Sequence, residues 1–202
     1  ICFTALKYLK EQGLKPKYNT IISFPYGEEI GLGGNYVPAE VSEFIALDIG
    51  LIGPGLEGNE YSVSICPKDA SVVYDFDLTS HLIDLAEKHG CSYAVDLFKN
   101  YGSDAGVAVK SGNNLRAAVF GMAVHCSHGM ERTHMDGLRN TMNLLLAYVL
   151  VGKSGFALET MTFLLCSLGL GAVITVRPEE GMKQTVAIAL GVAVYLLILW
   201  LM

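Results

Sequence analysis

The chain has 202 residues, 51% of them hydrophobic, and a formal net charge of −6. That length allows one domain with a sizeable core plus an appendage, and the acidic balance excludes non-specific nucleic-acid binding, which rests on clustered Lys and Arg. Five scattered cysteines without a CxxC pair exclude a disulfide framework and a structural zinc ribbon, and point to a reducing compartment.

In chain order, Ile1 to Gln12 reads as an amphipathic helix stopped by Gly13 and Pro16. The sequence enters it midway, without an initiator Met or signal peptide, so a fragment is expected. Strand-forming runs follow at Tyr18 to Phe24, Phe44 to Ile49 and Glu60 to Cys66. Asp75 to His89 has Leu78, Leu82, Leu85 and Ala86 on one helical face and is stopped by Gly90. Tyr93 to Phe98 and Leu115 to Phe120 are further strands, with a short helix after Gly102, and Met135 to Val149 is a closing helix. Interleaved strands and helices predict an α/β fold, a sandwich around a mostly parallel or mixed sheet, over residues 1–150.

Beyond Lys153 the composition changes. Met161 to Val176 and Thr185 to Met202 are apolar runs separated by a short polar segment, each close to the roughly 20 residues that cross a bilayer. Residues 155–202 are therefore expected to form a two-helix hydrophobic membrane hairpin.

The chemistry lies in residues 23–34, where an apolar run leads into Glu28 and Glu29 and then a glycine-rich turn. Adjacent residues leaving a strand point in different directions, so one carboxylate can bind a metal while the other faces the substrate as a general base. Alone, such a pair is more often a solvated acidic turn. Two features shift that balance. Asp48 ends another apolar strand, where such sheets collect their sites. His125, His128 and His134 fall within ten residues before the last helix. Carboxylate and imidazole donors without thiolate are typical of catalytic metal sites. Two tempting motifs fail: the glycines at 31–34 lack dinucleotide-loop spacing and lead to no helix, and Val151-Gly-Lys-Ser lacks the upstream glycine of a phosphate loop.

GEEIGLGG (27–34), ALDIG (46–50), EYSVSICPKD (60–69), YGSDAG (101–106) and SHGMERTH (127–134) occur in one order and spacing. From Ile1 to about Val149 the chain resembles the glutamyl and deblocking aminopeptidases, family 42 of the co-catalytic zinc peptidases. The resemblance implies two divalent metal ions (zinc, cobalt or manganese), Glu28 as general base, and Glu29, Asp48 and His128 as metal ligands. His134 is the alternative ligand, because the loop differs by about one residue from the commoner pattern, and His125 is a bystander. Asp104 matches a segment lining the substrate pocket, although a helix N-cap is an equally good reading. The family's site has five metal-binding side chains. Its upstream His-x-Asp histidine and its bridging aspartate have no counterpart in these residues, nor has the small β-domain used in assembly. The sequence as given is thus expected not to hold both metals together and to have little or no peptidase activity, and a large hollow complex is not expected of it; its homo-oligomeric state stays open.

The implied substrates are peptides with a free N-terminus, and the implied place is the cytoplasm. The tail segments Phe163 to Leu170 and Lys183 to Ala193 weakly resemble the first membrane helices of bacterial shape, elongation, division and sporulation proteins, which would tether the chain to the inner membrane. Two other readings compete: a non-catalytic membrane-anchored remnant or fusion fragment, and a carboxypeptidase or deacylase of the same clan that acts on blocked N-termini.

Overall fold

In the computed structural model, which describes residues 1–151 and 157–201, the apolar runs assemble around one central strand. The strands are β1 (Glu43–Leu47), β2 (Gly50–Leu51), β3 (Val63–Lys68), β4 (Tyr93–Leu97) and β5 (Arg116–Val124). They form a mixed sheet in the order β1-β5-β3-β4, with β2 also on β5. Strand β5 runs parallel to β1, with Glu43 opposite Arg116, and antiparallel to β3, with Val63 opposite Met122. β3 and β4 are parallel. β5 is covered on both faces, so its sequence is a continuous apolar run rather than an alternation.

Side chains alternate across the sheet and feed two cores. Ala118 and Phe120 of β5, with Val63 and Ile65 of β3, pack under α2 (Phe76–Lys88) and α4 (Met135–Val151). Ala117, Val119 and Cys66 face the other way, with Tyr74, Phe98 and Ala105 of α3 (Asp104–Lys110). This is the expected mixed-sheet α/β sandwich. Helix α2 begins where the Asp75 carboxylate accepts the Leu78 N–H at 2.7 Å, a side-chain cap worth about 1 kcal/mol. Its apolar face is buried at Leu78, Leu82, Leu85 and Ala86, as its 3.6-residue spacing predicts.

The expected strand at Tyr18 to Phe24 does not form. After α1 (Cys2–Glu11) the chain is irregular from 12 to 27. Lys17 N–H bonds the Val149 carbonyl at 2.7 Å, and Phe24 stacks on Phe3 with ring centroids 5.0 Å apart. β-Branched and aromatic composition favours a strand only where a neighbouring ladder is available, and in the described residues this run has none.

The chain divides into two units, Ile1–Gly152 and Lys153–Met202. The second contains α5 (Ala157–Val176) and α6 (Pro178–Leu201). Pro178 stands at the first position of α6, where its missing N–H costs nothing. The membrane expectation finds no support: among the described residues no helix is long and apolar enough to cross a membrane. The short polar segment between the two apolar runs is helical from Pro178 onward, with Glu179 and Glu180 in the first turn of α6. Residues 155, 156 and 202 of the expected hairpin lie outside the described residues.

Candidate functional site

Because β1 and β5 are parallel, their carboxyl ends reach the same edge of the sheet. Asp48 follows β1 directly, its N–H held by the Phe120 carbonyl at 3.2 Å, and the histidine segment follows β5. One end of an open α/β sheet thus collects both, as such folds commonly do for their ligands. Asp48 is half-buried, and its Oδ1 accepts the Ile49 N–H at 2.7 Å. Beside it lies the buried hydroxyl of Tyr101, which closes no well-directed hydrogen bond.

The acid pair reaches this edge through its glycines. Glu28, Glu29 and Ile30 form a single 3-10 turn, and the following glycines fold against the start of α3. A Cβ on Gly33 would stand 2.1 Å from Asp104 Oδ1, and one on Gly34 2.1 Å from the Asp104 carbonyl oxygen. Only glycine permits that approach. Asp104 is the first residue of α3 rather than its cap, which is Ser103. Its carboxyl group is buried and Oδ1 has no hydrogen-bond partner.

The electrostatics follow from this crowding. Burial raises the Glu28 carboxyl above its ordinary value, and the charges of Asp48, Asp104 and Glu29 raise it further, opposed by His128. Asp48 is also raised, chiefly by burial, against the Ile49 N–H and Tyr101. Asp104 is raised by burial and then by Asp48. Tyr101 is pushed up by burial and by the Asp48 carboxylate. Four carboxylates and one imidazole share this edge, with negative charge in excess.

His128 lies at the tip of the loop after β5, in the left-handed region at φ 60°. Its N–H bonds Glu131 Oε1 at 3.0 Å, and its Nε2 lies 3.7 Å from Glu29 Oε2, both side chains 76% exposed. Two ligands on one zinc, each about 2.0–2.2 Å from the metal, sit at a comparable mutual distance. Among the described residues, however, no three His, Cys, Asp or Glu side chains are grouped so as to hold a metal ion. Donor type and the Glu29–His128 spacing suit one divalent cation, and the uncompensated charge would favour it.

His134 is placed elsewhere. Its Nδ1 accepts the Asp136 N–H at 3.1 Å at the start of α4, and its ring lies 4.6 Å from that of Tyr61. His125 pairs with Glu60, Nε2 to Oε2 at 3.5 Å. These two histidines line a separate cleft of about 150 Å³ with Glu60, Arg132 and Thr133. Sequence reasoning passed over Tyr101, although it opens the YGSDAG segment. No periodicity or spacing marks a single tyrosine as the neighbour of a carboxylate 53 positions earlier.

Residues 1–144 match the family model described as M42 glutamyl aminopeptidase. The chain belongs to the M42 family. This M42 chain is 44% identical over 142 residues to a protein named putative aminopeptidase YhfE of Bacillus subtilis (strain 168), covering 70% of this chain and 41% of that protein. Its fold is similar to PhTET1-12s, described as a dodecamer, with a TM-score of 0.61 at 22% identity over 71% of this chain and 45% of that one. It is also similar to the TET aminopeptidase of Thaumarchaeota archaeon SCGC AB-539-E09, with a TM-score of 0.55 at 17% identity over 73% and 44% of the two chains. The M42 chain therefore spans less than half the length of these relatives. The family match lies within the first unit, and the expected likeness of the tail to membrane helices finds no support.

Proposed function

We propose that this chain contributes part of a metal-dependent aminopeptidase site, with Glu28 as general base, Glu29, Asp48 and His128 as metal ligands, and Asp104 in the substrate pocket. The observation that carries the reading is the 3.7 Å approach of Glu29 to His128, which joins two motifs far apart in sequence beside the end of β1. A bound divalent cation (zinc, cobalt or manganese) would supply the Lewis acidity that makes water nucleophilic at neutral pH. Glu28, raised by burial and by its carboxylate neighbours, is suited to accept a proton from the attacking water and return it to the departing amine. Asp104 offers a buried, unpartnered carboxylate oxygen to the ammonium of a free peptide N-terminus. The substrates on this reading are unblocked peptides in the cytoplasm.

Three ligands hold one ion more readily than two, so these 202 residues by themselves are expected to bind about one cation and to hydrolyse peptides slowly. Titration with Co²⁺, followed by its visible absorption, tests the assignment. Glu28→Gln should bind like the parent, and Glu29→Ala and His128→Ala at least about tenfold more weakly. Unchanged binding in both alanine variants would overturn it. Comparing a free peptide with its N-acetylated form separates the chemistries: faster cleavage of the acetylated one would replace an aminopeptidase with a deacylase or carboxypeptidase of related mechanism.

A further inference from the structure

Resting on the proposed site, the geometry assigns Glu60 and Tyr61 as positioning residues: they clamp both ends of the loop that carries His128. The loop leaves β5 at Val124 and enters α4 at Met135. Its ends are bridged to each other, His125 N–H to the Arg132 carbonyl at 2.9 Å and Arg132 N–H back to His125 at 3.3 Å. Between them His128 protrudes as an exposed residue in a left-handed conformation. Such a side chain can be held in one place only if the base of its loop is fixed.

Glu60 and Tyr61 reach that base from the segment before β3. The Glu60 side chain takes the entering end, its Oε2 3.5 Å from His125 Nε2. The Glu60 carbonyl takes the departing end, accepting the His134 N–H at 3.3 Å and the Thr133 hydroxyl at 3.4 Å. The single Thr133 hydroxyl proton goes mainly to the Ala123 carbonyl at 2.7 Å, tying the departing end to β5 itself and leaving the Glu60 carbonyl the weaker share. The first turn of α4 closes over the same carbonyl: a Cβ on Gly137 would lie 2.4 Å from the Glu60 oxygen. Tyr61 completes the grip. Its ring packs on His134 at 4.6 Å and its carbonyl accepts from Asn140 Nδ2 at 2.8 Å. Glu60 keeps its charge readily, because its own N–H and then His125 and Arg132 hold its carboxyl below the ordinary value. None of these contacts involves the acid cluster, so the pair acts on the site only through the loop.

The test uses the 202-residue protein with Co²⁺ as probe, and compares the parent with Glu60→Ala, Glu60→Gln, His125→Ala, the Glu60→Ala/His125→Ala double variant and His128→Ala. Glu60→Ala should weaken Co²⁺ binding about tenfold, the scale of residues that orient metal ligands. The double variant should lose no more than either single one, and Glu60→Gln, which still accepts from His125, should recover part of the loss. Hydrogen exchange should quicken in Glu60→Ala at 125–134 while α2 and β4 keep the parent's rates. Unchanged Co²⁺ affinity in Glu60→Ala, or exchange quickened throughout the unit, would overturn the assignment. If His128→Ala binds Co²⁺ like the parent, the proposed metal site fails; the clamp then stands or falls on whether exchange at 125–134 alone has quickened.

Discussion

Asp69 and Asp104 are both buried carboxylates, 0% and 7% exposed, and they are treated in opposite ways. Asp69 is fully occupied: Oδ1 accepts the Ser71 N–H and hydroxyl at 2.7 Å each and the Val72 N–H at 2.9 Å, and Oδ2 accepts the Tyr74 hydroxyl. It organises the turn after β3. Asp104 keeps an oxygen without a partner and stands among other carboxylates that raise one another. A carboxylate that builds the fold is surrounded by donors, whereas one left without them makes the fold less stable and is open to a ligand that brings positive charge.

The comparison can be broken in four ways. Asp69→Ala strands several buried donors at once and should lower stability by at least about 3 kcal/mol in urea unfolding; a loss below about 1 kcal/mol would mean that the network is not structural. A saturating divalent cation should do the reverse at the other region. Zn²⁺ at a hundred times its dissociation constant should stabilise the parent by about 2.7 kcal/mol, and should leave His128→Ala much less changed in a thermal melt. Asp104→Asn removes a buried charge without changing the shape, so the metal-free protein should gain about 1 kcal/mol. A lower melting temperature for this variant would show that the carboxylate is satisfied after all.

The smallest effect is a slope with pH. Glu28, Asp48 and Asp104 all have carboxyl groups raised on folding, so the folded state binds protons more tightly than the unfolded one. Their protonated forms fold without penalty, and the penalty appears as pH rises from the unfolded carboxylate range near about 4 through the raised values. Stability of the metal-free parent should therefore decline over that interval. The decline should be shallower in Glu28→Gln and Asp104→Asn, as followed by melting temperature from about pH 4 to about pH 7.

The residues that can be read from sequence are those whose signal is local. Asp75 and the Leu78–Leu82–Leu85–Ala86 face carry cap and period within a few turns, and α2 follows from them. Asp48 is legible because a strand end is itself a local feature. Tyr18 to Phe24 has strand composition, but strand formation depends on a partner elsewhere, and none is present in the described residues. By residue type and spacing the three histidines look equivalent, and only the family resemblance ranks His128 first. In three dimensions His128 lies toward Glu29, His125 toward Glu60 and His134 toward Tyr61. Tyr101 and Glu60 escape for the same reason, since their roles come from contacts across the fold.

The place of β5 in the middle of the sheet has a consequence for how the protein is made. Glu43 pairs with Arg116 and Val63 with Met122, so the first strands wait for a partner synthesised long after them. Non-local pairing of this kind is slow. Until β5 leaves the ribosome, β1 and one edge of β3 are exposed apolar strands, the type of surface that chaperones cover and that otherwise aggregates. Translation pausing or chaperone depletion before residue 124 is reached should therefore reduce the yield of soluble chain far more than the same disturbance after α4 has formed.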